Sequence, residues 1–215
     1  MDLEIVDGLV PSVLATLDAS ESIYGEAGIM LYKEPPVGVG RKTVKSGGLL
    51  AGMERVSVGG MPFFLTEFTG PGHVAFSRDG VGEIRILEIP PGHEIDIMEG
   101  SLLCASNSIG YAMEYVKGTH RPGRIVGFWL DRLSGPGKVA IHGYGNIISM
   151  TLAPKETITT DLGALLYKDA GVQAKTANLP FGSGLLGKFE SFEVLELTGP
   201  GAVALQSIDP KQPHY

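Results

Sequence analysis

Apolar and polar residues alternate in short stretches along this chain, and the alternation is interrupted in the same way three times. Phe63, Phe128 and Phe192 stand two residues before Leu65, Leu130 and Val194, the spacing at which side chains share one face of a strand. Three residues further on come Phe68, Leu133 and Leu197, and this odd step predicts a β-bulge in each copy. Each stretch then enters Gly-Pro-Gly, at 70–72, 135–137 and 199–201, and continues as Val74-Ala75, Val139-Ala140 and Val203-Ala204. Strand, turn and strand are predicted each time, with Phe63, Phe128, Phe192, Val74, Val139 and Val203 in the core. In Gly-Pro-Gly-x, proline holds φ at about −65° and the following glycine accepts positive φ, as a type II turn demands. Gly72, Gly137 and Gly201 are therefore expected at positive φ.

A second pattern lies between these turns. Glu21-x-Ile23 followed by Gly28-Ile29-Met30-Leu31-Tyr32-Lys33 matches Glu156-x-Ile158 followed by Gly163-Ala164-Leu165-Leu166-Tyr167-Lys168. The middle copy is His93-x-Ile95 followed by Gly100-Ser101-Leu102-Leu103-Cys104-Ala105. The chain is thus one unit written three times, over residues 1–78, 79–143 and 144–215. The first unit is the longest, and its extra residues are placed as an insertion at 34–48.

Composition agrees with an all-β chain. With 31 Gly and 14 Pro in 215 residues, long helices are disfavoured and many short strands joined by turns are expected. A unit of this length hardly buries a core alone, so the three are expected to pack as one compact body closed about a pseudo-threefold axis.

The segments Ser46-Gly47-Gly48-Leu49-Leu50 and Thr66-Glu67-Phe68-Thr69-Gly70-Pro71-Gly72, with the later Gly-Pro-Gly copies, resemble the altered-inheritance-of-mitochondria protein family over nearly the whole chain. The resemblance implies three tandem double-stranded β-helix units like those of the tryptophan RNA-binding attenuation protein, arranged as a pseudo-trimer. It implies no reaction and no catalytic residues. Fungal members are linked to mitochondrial inner-membrane organisation, which points to scaffolding. The third copy departs from the pattern, reading Gly182-Ser183-Gly184-Leu185-Leu186-Gly187.

The start of the sequence, Met1-Asp2-Leu3-Glu4, is acidic and lacks the basic region of a signal peptide or presequence, and no apolar run reaches the ~20 residues of a membrane span. A cytoplasmic location is expected. Cys104, the one cysteine, occupies the strand position held by Tyr32 and Tyr167 and reads as a packed thiol. The five histidines include no His-x-His pair, so no metal or other cofactor is expected; His93, Glu94 and Asp96 are the nearest approach to a ligand set. No Gly-x-Ser-x-Gly elbow is present, and no catalytic group is assigned.

One feature stands outside the repeat: Arg41, Lys42 and Lys45, with Arg55 nearby, among several glycines. Cations and backbone amides together suit an anion or a partner. The net charge of −7, from 17 basic and 24 acidic residues, disfavours nucleic acid as the general partner. Mean hydropathy of +0.15 with only 19% charged residues leaves apolar surface to cover. The expectation is a non-catalytic, homo-oligomeric scaffold or interaction protein; the alternative is RNA or small-anion binding through the basic segment.

Overall fold

A computed structural model describes residues 1–42, 65–118, 127–180 and 191–210. Its first stretch forms β1 (Asp2–Val6), β2 (Ser12–Leu17), β3 (Ser22–Glu26), β4 (Met30–Lys33), β5 (Gly38–Lys42), β6 (Leu65–Thr69) and β7 (Gly72–Ser77). Next come β8 (Gly82–Ile89), β9 (Glu94–Met98), β10 (Leu102–Ser106), β11 (Gly110–Lys117), β12 (Gly127–Ser134) and β13 (Gly137–Tyr144). The last are β14 (Ile147–Leu152), β15 (Thr157–Asp161), β16 (Leu165–Asp169), β17 (Gln173–Pro180), β18 (Ser191–Thr198) and β19 (Gly201–Gln206). A 3-10 turn at Leu162–Ala164 is the sole helical element among the described residues.

All pairing is antiparallel, in four sheets that do not close into a barrel: β1-β2-β7-β4, β5-β6-β3-β10-β13-β8, β11-β12-β9-β16-β19-β14 and β15-β18-β17. The pairs β2–β7, β8–β13 and β14–β19 correspond along the chain, as do β3–β6, β9–β12 and β15–β18. Each six-stranded sheet is assembled from strands of two successive stretches of chain. The joins are β3 against β10 and β9 against β16.

Gly-Pro-Gly is the corner at which the chain changes sheets. β6 lies between β3 and β5 while β7 lies between β2 and β4, so the strands flanking Gly70-Pro71-Gly72 never pair, and the expected strand-turn-strand is not a hairpin. Gly72, Gly137 and Gly201 do take positive φ, at 129°, 154° and 142°. These values lie well beyond the roughly +80° of the third position of a type II turn, so the turn is not the one read from the sequence; the peptide bonds entering Pro71, Pro136 and Pro200 are cis. The first glycine is needed for a different reason. A Cβ on Gly70, Gly135 or Gly199 would overlap the backbone carbonyl oxygen of Asp18, Pro90 or Ala153.

The bulges also fall elsewhere than expected. β6, β12 and β18 keep an unbroken register with β3, β9 and β15. The step of three arises because both faces of these strands are covered: Leu65 enters the same core as Leu133, whereas Phe68 enters the core of Phe76 and Val13. Register shifts occur instead between Met30 and Tyr32, Leu102 and Cys104, and Leu165 and Tyr167. The end of each of these strands is tied down in one way. Glu34 Oε2, Ser106 Oγ and Asp169 Oδ2 accept the backbone N–H of His73, Lys138 and Ala202 at 2.9, 2.9 and 2.7 Å.

Of the six predicted core residues, Val74, Val139 and Val203 are fully buried. Phe128 is only half-buried against the cluster of Leu130, Leu165 and Leu195, because β12 turns that side chain to the rim. Phe63 and the Phe192 side chain lie outside the described residues. Within the stretch expected as an insertion, Gly38–Lys42 is a strand paired to β6, as β11 is to β12. The extra length of the first stretch therefore falls after Lys42.

Candidate functional site

Where β16 joins β9, Lys168 lies opposite Asp96, and on the other side of β9 Arg132 of β12 lies opposite the same residue. Antiparallel register thus lines up two cations across one carboxylate, although the three residues are far apart in sequence. Asp96 is fully buried. Lys168 Nζ donates to its Oδ2 at 2.7 Å, and Arg132 donates from Nε to Oδ1 at 2.7 Å and from Nη2 to Oδ2 at 3.0 Å. Burial alone would raise the Asp96 carboxyl pKa; the hydrogen bonds from Arg132 and Lys168 outweigh it and hold the pKa below its ordinary value. Arg132 is raised in turn, chiefly by its bonds to Asp96, and also faces Glu114 at 3.5 Å.

A cleft of about 350 Å³ opens above this triad, between β11 and β17, with Lys117, Lys175 and Glu114 at its mouth. Four cations and two carboxylates line it. Asp96 has both oxygens engaged, and Lys168 is committed to Asp96 and to the Asp169 carbonyl. These groups therefore form a charge clamp and hold no spare base or nucleophile. A second cleft of about 430 Å³ shares Arg132 and runs past Tyr111 and Asn107 to Lys42.

Lys42 Nζ donates to the Asn107 side chain and backbone carbonyl and sits 4.7 Å from the Tyr24 ring centroid; burial lowers its pKa. Arg41 is exposed on β5. Lys45 and Arg55 lie outside the described residues, so of the basic cluster the structure describes Arg41 and Lys42 alone. His93 pairs with Asp169 at 3.1 Å, Glu94 is exposed, and Asp96 is spent on its two cations, which removes that trio as a ligand set. Cys104 is buried, and burial pushes its thiol up to about 12, so it is a packed group. Asp131 and His142 are buried ionisable residues that had no signal in the sequence. His142 is fully buried edge-on to Tyr144, with no hydrogen-bond partner for either ring nitrogen, and burial, assisted by Arg78, depresses it to about 4. No helix of the described residues is long and apolar enough to cross a membrane.

An all-β chain of antiparallel sheets with a buried Asp96–Arg132–Lys168 clamp defines a structural class. The family model described as Mitochondrial biogenesis AIM24 matches residues 3–208, and the chain belongs to that family. Among solved structures it is similar to an X-ray structure of a protein from Streptococcus pyogenes, with a TM-score of 0.72 and 22% identity over 97% of this chain and 94% of that one. That likeness speaks for the fold. No curated protein matches the chain.

Proposed function

We propose that this protein is a non-catalytic scaffold that works by self-association. The observation that carries the reading is the state of β4. Met30, Leu31 and Tyr32 are 42, 59 and 51% exposed, whereas their counterparts Leu102, Leu103 and Cys104 on β10 are completely buried. Consecutive large apolar side chains on a strand at the edge of a sheet are what an assembly surface needs and what an isolated monomer avoids. The recurrent pairings support three tandem double-stranded β-helix units, joined in succession at β3–β10 and β9–β16, and the family's link to mitochondrial biogenesis suits an organising role. Of the residues behind the competing RNA or anion reading, Lys42 donates to Asn107 and Arg41 is exposed.

Sedimentation velocity on ligand-free protein over a wide concentration range tests the proposal. Mass rising with concentration is expected. A single monomeric species throughout would overturn it, and retention on immobilised RNA with a steep salt dependence would favour the alternative.

A further inference from the structure

The two internal joins specify what fits an uncovered β4. Along the chain β3, β9 and β15 correspond, and so do β4, β10 and β16. β10 is covered by β3 and β16 by β9, but β4 and β15 are the outer strands of their sheets. The missing partner of β4 is therefore a strand with the character of β15, and the missing partner of β15 is a strand with the character of β4. Building on the scaffold reading, we propose that β4 of one molecule pairs antiparallel with β15 of a second copy, joining β1-β2-β7-β4 to β15-β18-β17 head to tail.

The internal joins also dictate the register. Ala105 opposes Tyr24 and Ser106 opposes Ile23; Lys168 opposes Asp96 and Asp169 opposes Ile95. Transferred to the open edges, these rungs set Lys33 opposite Thr159 and Glu34 opposite Ile158. Charge agrees with that placement. Thr159 is flanked across β15–β18 by Glu196, in the position that Arg132 holds beside Asp96. Lys33 of one molecule thus comes within one strand of a carboxylate, which Lys175 faces from its other side. Burial agrees as well: β15 alternates between exposed and half-buried positions, while β9 is buried along four of its five residues.

Two differences make this joint weaker than the internal ones. Asn107 and Ala170 each donate a backbone N–H across their joins, to Ser22 and Glu94 at 3.1 and 3.0 Å, and the corresponding residue after β4 is Pro35, which has no N–H. Glu156 also stands near Glu34, where His93 faces Asp169 in the middle join. A heterologous contact of this kind propagates into a ring or a filament, and its weakness makes the assembly concentration-dependent.

Four variants at exposed or half-buried positions test the joint in sedimentation velocity, with thermal melts to verify folding: Leu31→Asp, Lys33→Glu, the charge swap Lys33→Glu with Glu196→Lys, and Pro35→Ala. The expected result is association weakened roughly tenfold or more by the first two, restored by the swap, and tightened by Pro35→Ala, which returns an N–H donor. If the wild type associates and all four variants associate equally well, this joint is wrong while the scaffold reading stands. If the wild type never associates, both fall. Slow hydrogen exchange, in dilute monomer, of the β4 amides that point away from β7 would show the chain covering its own edge, and would overturn the second copy as occupant.

Discussion

Where β10 meets β3, Ala105 lies opposite Tyr24; where β16 meets β9, Lys168 lies opposite Asp96. The backbone pairing is the same, and the neighbouring strands and their caps correspond. The first join is sealed by a buried ring whose hydroxyl donates to the Ile109 carbonyl at 3.1 Å, the second by a buried carboxylate between two cations. The geometry of the joint therefore comes from the ladder and the corners, and either chemistry satisfies it. The two differ in how they fail. An apolar contact loses stability in proportion to what is removed, whereas a desolvated ion that loses its partner carries its full burial cost.

The sharpest break in the comparison is Asp96→Ala. It leaves the Lys168 ammonium buried beside Arg132 with no carboxylate between them, and a loss of roughly 3–5 kcal/mol in urea unfolding is expected. Replacing both partners, Asp96→Leu with Lys168→Met, should recover most of that loss, because the remaining Arg132 is part-exposed and still faces Glu114. If the double variant is as unstable as the single one, the charges are required for the fold and the joins are not interchangeable.

Acid separates the two joins next. Asp96 has a folded-state pKa below its unfolded value, so its contribution is intact above the unfolded pKa and is lost as pH falls through the lower folded one. His142 must be removed from that measurement first. Its folded pKa is depressed to about 4, so the unfolded chain binds its proton first and stability falls as pH drops from 6.5 towards 4. Between pH 7 and pH 5 the wild type should lose about 2 kcal/mol on this account, and His142→Phe should flatten that part of the profile. A loss of the same size in the variant would assign the acid sensitivity to other groups.

Smaller effects sharpen the picture. Gly72→Ala forces a Cβ into positive φ and should cost about 1 kcal/mol or more in a thermal melt, and Gly137→Ala and Gly201→Ala should match it if the corners are equivalent. Tyr24→Phe removes only the hydroxyl of the first join, and a loss of about 1 kcal/mol is expected. A loss as large as that of Asp96→Ala would mean that the hydroxyl, rather than the ring, seals the apolar join.

The threefold pattern was legible because Gly-Pro-Gly answers a backbone requirement, and such requirements leave the same letters wherever they recur. Positive φ at Gly72, Gly137 and Gly201 followed from it. The pairing partners did not, since a corner and a hairpin ask for the same residue types and only the tertiary ladder tells them apart. The step from Leu65 to Phe68 misled for a related reason: period two assumes one buried face, and these strands have two. The clamp left fainter marks. Lys168 follows Leu165-Leu166-Tyr167 and Asp96 sits between Ile95 and Ile97, each a charge inside an apolar run, but nothing local says that they meet. Arg41, Lys42, Lys45 and Arg55 drew notice as a cluster because charge density is visible in one dimension, whereas the bond from the Lys42 side chain to Asn107 is not.

The corner glycines have a consequence for inheritance. Each corner passes the chain from one sheet to its neighbour, so the middle stretch of chain contributes strands to both six-stranded sheets. Loss of the last stretch would uncover β9 as β15 is now uncovered, and a duplication of the middle stretch would insert another sheet between the same two ends. Whatever the number of such stretches, each would meet the next through the same pairing that joins β3 to β10 and β9 to β16.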